Sequence, residues 1–136
     1  MTQEKQIKNI YVTSPLTLFN TSNYEYIREI TENMFPSCNL TFTEGLYSGA
    51  REWLQKWPVL KLEQDALLFF TDSKGYIGKG VYTEIRDMLA MGKPVFFCHT
   101  PTDRQYRIES LDASFPVHFD VNEDNWKEYA RVEIVG

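Results

Sequence analysis

The sequence predicts an α/β fold, a mainly parallel sheet with helices packed on both faces. Three observations carry that expectation. Ala66-Leu-Leu-Phe-Phe70 is an apolar run long enough for a buried strand and too short for a helix. Gly75, Gly78 and Gly80 follow within a few residues and mark a loop free to take unusual dihedrals. A helical pattern then opens, with Val81, Ile85, Met88 and Leu89 at i, i+4, i+7 and i+8 as one apolar stripe. Gly92 stands where a C′ cap belongs, and Lys93-Pro94 leads into a second apolar run, Val95 to Cys98. Strand, glycine loop, helix and strand make one βαβ unit, whose crossover is expected to be right-handed.

The other elements follow in order. Met1 to Gln6 is a polar leader, and Ile7 to Thr13 reads as the first strand, stopped by Ser14-Pro15. A helix is expected from Asn23 to Phe35, with Ser22 as its cap and Tyr26, Ile27, Ile30 and Met34 on its apolar side. Cys38 to Phe42 reads as a short strand, and Glu44 to Tyr47 as a loop. Ser48 is placed to cap a helix over Ala50 to Trp57 that Pro58 closes, with Val59 to Gln64 open between helix and turn. Beyond Cys98 the pattern thins. His99 to Asp103 reads as a loop, Arg107 to Glu109 and Pro116 to Phe119 as short strands, and Asn125 to Tyr129 as a helical turn. Arg131 to Val135 alternates polar and apolar, as a half-buried edge strand would.

At 136 residues the chain is expected to be a single domain, 1–136. A net charge of −5 without any basic cluster argues against a nucleic-acid partner. No apolar run nears the ~20 residues that span a bilayer, and the polar leader does not resemble a signal peptide. Cys38 and Cys98 fall in strands and read as reduced core residues, so the expected location is cytoplasmic. Two histidines and two cysteines without metal spacing call for no metal, and nothing calls for a cofactor. Eight Tyr, nine Phe and three Trp exceed what a small core needs, which suggests rings lining a pocket or a subunit contact. Trp53 and Trp57, at i and i+4, read as a packed helix face, with an oligomer contact as the alternative.

Glu84 is the unusual residue of the βαβ unit. It lies about 300° round the helix from Val81 and about 100° from Ile85, on the shoulder of the apolar stripe. The helix pattern places it in the first turn, where the dipole favours an ionised carboxylate. The carboxyl end of the preceding strand is also where open α/β sheets hold ligands. An acid so placed suits a nucleophile or an electrostatic stabiliser; a helix acid that merely complements the dipole is the bland alternative. Cys98-His99 is a weaker constellation, since neighbours on a strand point to opposite faces.

Ile10-Tyr11-Val12-Thr13-Ser14-Pro15 resembles the first-strand signature, of "IYLAGP" type, of the nucleoside 2-deoxyribosyltransferase family. Gly80-Val-Tyr-Thr-Glu84, between a glycine loop and a "GKPV" strand, is similar to that family's "GxxxE" segment. The likeness runs over about residues 7 to 98 and is concentrated in those two motifs. It implies a flavodoxin-like (Rossmann-like) fold, a homodimer or higher homo-oligomer, and a small-molecule nucleoside or nucleotide as partner. It also implies that Glu84 attacks C1′ of a deoxyribosyl group, in transfer between bases or in hydrolysis of a nucleoside 5′-monophosphate. Thr13, Ser14, Tyr47, Lys79, Gly80 and Tyr82 are the expected substrate-binding residues. The lysine and the amides at the helix start would suit a 5′-phosphate.

Two departures bear on the chemistry. The transferases' base-handling aspartate, six residues before the nucleophile, is Gly78 here, and a second family glycine is Tyr82. A departing base needs a proton; Asp72 is the nearest replacement acid, with an Asx-turn at the start of the loop as its alternative. Tyr82 or a water are the other sources. Three classes stay open: a deoxyribosyl-transferring or hydrolysing enzyme, a nicotinamide-cleaving N-glycosidase, and a non-catalytic nucleotide-binding or protein-interaction domain.

Overall fold

The computed structural model describes residues 7–99, 107–110 and 117–134. The leader, most of the loop expected over His99 to Asp103, and Pro116 lie outside them. The main sheet is built from β1 (Asn9–Thr13), β2 (Asn39–Phe42), β3 (Ala66–Phe69), β5 (Val95–His99) and β6 (Arg107–Ser110), in the order β2-β1-β3-β5-β6. The first four run parallel, and β6 pairs antiparallel with β5. Three helices connect them: α1 (Ser22–Met34), α2 (Ala50–Glu63) and α3 (Lys79–Ala90). The expected α/β character is therefore present.

The central strands are apolar throughout because both faces are covered. Ile10, Val12, Leu68 and Phe70 pack against Tyr24, Ile27 and Ile30 of α1. Tyr11, Leu67, Phe69 and Phe97 pack on the other side with Trp57 of α2 and Val81, Ile85 and Met88 of α3. After β1 the chain goes to one side to form β2, then returns past β1 to form β3. The strand order thus reverses beside the carboxyl ends of β1 and β3, where a crevice forms in open α/β sheets.

Several local expectations need correction. No side-chain cap stands at α1, whose N-cap is Thr21. Ser48 does not cap α2 either; its hydroxyl donates to Glu52 at 2.7 Å. α2 continues through Pro58 to Glu63. The carbonyl that proline leaves without a donor belongs to Leu54; both residues are exposed, so water can serve it. Buried Trp57 and half-buried Leu60 hold the two turns to the core, and the Lys93 ammonium donates to the Lys61 and Leu62 carbonyls at 2.7 and 3.2 Å. At the end of α3 the expected cap is present. Gly92 has φ +71°, and the Gly92 and Lys93 amides donate to the Leu89 and Met88 carbonyls.

The C-terminal region forms a second sheet, which the sequence did not suggest. β4 (Tyr76–Ile77) and β7 (Val117–Val121) flank β8 (Ala130–Ile134), all antiparallel. Arg131 to Ile134 therefore lies in a central strand, not an edge, and residues 125–129 are irregular, with a bend over 126–128, rather than a helical turn. Much of the aromatic surplus is spent here. Tyr82 of α3 packs on Phe119 and Tyr129, and Phe119 lies 6.4 Å from the Phe69 ring.

Candidate active site

α3 begins at Lys79, so Glu84 lies in its second turn and not its first. The helix dipole has faded there, and burial decides its state. The observed stripe is Val81, Glu84, Ile85 and Met88, while Leu89 points out at 40% exposure. Glu84 is only 2% exposed.

Each carboxylate oxygen is held by the surrounding elements. Thr13 Oγ1, at the end of β1, donates to Oε1 at 2.7 Å. Trp53 Nε1, on α2, donates to Oε2 at 2.9 Å, and the Tyr11 hydroxyl donates to the same oxygen. Tyr11 and Thr13 share a face because they are two apart on a strand. The Tyr11 hydroxyl also lies 2.9 Å from that of Tyr47, in the loop before α2. One helical turn on, Trp57 Nε1 donates to Asp87 Oδ2 at 2.8 Å, and Lys61 reaches the same oxygen at 3.4 Å.

Desolvation pushes the Glu84 carboxyl up to about 7, although the bonds from Tyr11, Thr13 and Trp53 favour the anion; Asp87 adds to the rise. The expectation of a permanently ionised acid is corrected accordingly. Near neutrality Glu84 stands between its two protonation states, the condition that general acid–base chemistry requires. Burial likewise raises Tyr11, and pushes Tyr47 up to about 12, so both hydroxyls keep their protons at neutral pH.

No protein-family model and no curated protein matches this sequence.

Thr13 and Tyr47 belong to the Glu84 network, as just described. Ser14 is 3% exposed, and its hydroxyl has no hydrogen-bond partner among the described residues. Asp72 does something else. Its Oδ1 accepts the Lys74 and Tyr76 amides at 2.9 Å each, which fits the Asx-turn alternative and ties that oxygen to its own loop. Lys79 sits 5.9 Å from the Tyr129 ring, and its amide donates to the Trp126 carbonyl at 2.9 Å, so one amide of the proposed phosphate cradle is already used. Gly80 has open space where a Cβ would stand, and Tyr82 is occupied in holding the second sheet. A Cβ at Gly78 would lie 3.3 Å from the Trp126 carbonyl and 3.6 Å from that of Lys127. The segment around Trp126 thus leaves little room for a side chain at position 78.

Tyr11 and Trp53 were not among the expected site residues. Their signals were in the sequence. Tyr11 is two positions before Thr13, and Trp53 and Trp57 repeat at i, i+4 against Glu84 and Asp87 at i, i+3. The packed helix face expected of the two tryptophans is present, with both indole N–H groups aimed at carboxylates. Cys98 is buried with its thiol pushed up to about 12, which removes it as a nucleophile. Among the described residues no three His, Cys, Asp or Glu side chains gather as a metal site would, and no helix is long and apolar enough to cross a membrane.

Proposed function

We propose that this chain cleaves N-glycosidic bonds of a (deoxy)nucleoside or nucleoside 5′-monophosphate, with Glu84 as the nucleophile, on a flavodoxin-like scaffold related to the nucleoside 2-deoxyribosyltransferases. One observation carries the reading. An acid with its ionisation raised to about 7 is fixed by Tyr11, Thr13 and Trp53 beside the strand ends where the sheet order reverses. Loss of a base builds oxocarbenium character at C1′, which such an anion stabilises and traps as a glycosyl ester. Incubation with deoxynucleosides, their 5′-monophosphates and NAD, followed by chromatography of free base, tests it. Base release from a deoxynucleoside or deoxynucleotide is the expected result. Cleavage of NAD alone moves the reading to a nicotinamide-cleaving N-glycosidase.

A second reading has an observation of its own. Glu84 is nearly inaccessible with both oxygens bonded, as a purely structural tie between β1, α2 and α3 would be. The chain would then be a non-catalytic nucleotide-binding or protein-interaction domain, and no base would be released from any donor.

Hydrolysis is expected to exceed exchange. With no acid at position 78, an incoming base loses one charged hydrogen bond, about 1.5–3 kcal/mol, or roughly tenfold to hundredfold in acceptor binding. A donor supplied with a second free base should therefore yield free sugar, and efficient synthesis of the new nucleoside would restore the transferase. Gly78→Asp is the obvious converse variant, but its Cβ and carboxylate would press on the Trp126 and Lys127 carbonyls. It is expected to destabilise the loop rather than create exchange.

Self-association is the expected state, a homodimer or larger, burying more than about 1,000 Å² in total. Leu54 and Leu62, 64% and 68% exposed, lie with exposed Pro58 at i, i+8 and i+4 along the outer side of α2. Sedimentation that finds only monomer at micromolar concentration contradicts this.

A further inference from the structure

The reaction proposed above leaves its proton source unassigned, because Asp72 is tied through Oδ1 to loop amides, Gly78 has no side chain and Tyr82 is packed among aromatic rings. Resting on that reading, we propose that Tyr47 protonates the departing base and recovers its proton from Glu84 through Tyr11.

Three oxygens in a row make the path: Glu84 Oε2, the Tyr11 hydroxyl and the Tyr47 hydroxyl. The first two are buried, Glu84 at 2% exposure and Tyr11 at 0%, whereas Tyr47 is half-buried and is the outer end of the chain. The other two donors on the carboxylate do not compete. An indole N–H accepts no proton, so Trp53 ends its branch, and Thr13 is itself buried. When Glu84 is ionised, Tyr11 donates to it. When Glu84 is protonated the direction reverses: Glu84 donates to Tyr11, Tyr11 to Tyr47, and Tyr47 outward. Both tyrosines remain protonated at neutral pH, so each hands on one proton as it takes another.

The step balances. The C1′–N bond breaks and its electron pair stays on the base nitrogen, which takes the Tyr47 proton. Tyr47 takes the proton of Tyr11, and Tyr11 takes that of Glu84. The carboxylate so formed bonds to C1′. Water then displaces the ester and its proton returns to Glu84, leaving free base, free sugar and the starting enzyme. One proton thus serves both ends of the bond, and Glu84 becomes a nucleophile as the base becomes a leaving group.

A leaving group that needs no proton separates this role from a structural one. The probes are the four common 2′-deoxynucleosides, their 5′-monophosphates and nicotinamide 2′-deoxyriboside with its 5′-monophosphate, whose cationic base departs as neutral nicotinamide. Tyr47→Phe should slow the cleaved deoxynucleoside about a hundredfold or more, and nicotinamide 2′-deoxyriboside less than about fivefold. Equal losses on both, or no loss on the deoxynucleoside, overturn the relay. The wild type supplies a second test. The groups facing Glu84 are Tyr11 on β1, Tyr47 before α2 and Asp87 on its own helix, the last paired with Lys61 of α2. Cleavage of the deoxynucleoside requires protonated Glu84 and should fall as pH rises past about 7, whereas cleavage of the nicotinamide riboside requires the anion and should rise through the same range. Parallel pH profiles overturn the proposal. If the wild type cleaves none of these probes, the N-glycosidase reading itself has failed, and the relay with it.

Discussion

Replacing Glu84 with glutamine should lower base release roughly a thousandfold or more, because an amide forms no glycosyl ester. The fold should survive the change. The glutamine carbonyl can accept from Tyr11 and Trp53, while its amide donates to Thr13, so the three groups now bonded to Glu84 keep partners. Alanine is a different experiment. From sequence alone, truncation of a helix-terminal acid is expected to leave the melting temperature nearly unchanged. In the fold, alanine removes a buried side chain and strands the Thr13 and Trp53 donors, leaving Tyr11 only the Tyr47 hydroxyl, a loss of about 3 kcal/mol or more. Steady-state base release and thermal melting on the wild type and both variants check this. A glutamine variant that turned over like the wild type would remove Glu84 as nucleophile, whatever its stability.

The contrast shows which parts of the site the sequence could carry. β1, β3 and β5 were legible because burial on both faces leaves uninterrupted apolar runs, a signal that needs no knowledge of the partner strand. The glycine loop and Gly92 were legible because backbone conformation restricts the residue type. Pro58 misled, since its rule assumes a missing hydrogen bond that the chain must avoid, and on an exposed helix side water supplies it. The second sheet was hidden for another reason. Two-residue β4 pairs with a strand more than 50 positions later, and no local period records that pairing. An error of two residues in the start of α3 placed Glu84 in the first turn, where the dipole would rule its charge. Tyr11 stands inside the first-strand motif and Trp53 in the i, i+4 tryptophan pair, but only the meeting of β1, α2 and α3 gives their polar atoms a common target.

That meeting has a thermodynamic signature. Glu84 should make the protein less stable as pH rises from about 4 to about 8. Its carboxyl titrates at about 7 in the fold against an ordinary value of 4.5. Between those values the folded chain therefore holds a proton that the unfolded chain has released, and stability falls with pH while that difference lasts. The contribution is fully present below 4.5, declines through the window, and is lost above about 7. At about 1.4 kcal/mol per pH unit of separation the full change is roughly 3 kcal/mol. The measurement is the difference between the wild type and Glu84→Gln in denaturant midpoint across that range, which isolates the Glu84 contribution. The glutamine variant lacks the titration, and the two curves should diverge as pH rises, the wild type losing ground by an amount that levels off above about pH 8. Curves that stay parallel would mean that Glu84 ionises in the fold as it does in water, which its burial at 2% exposure opposes. They would also deprive the tyrosine chain of the neutral-pH proton that it is proposed to carry.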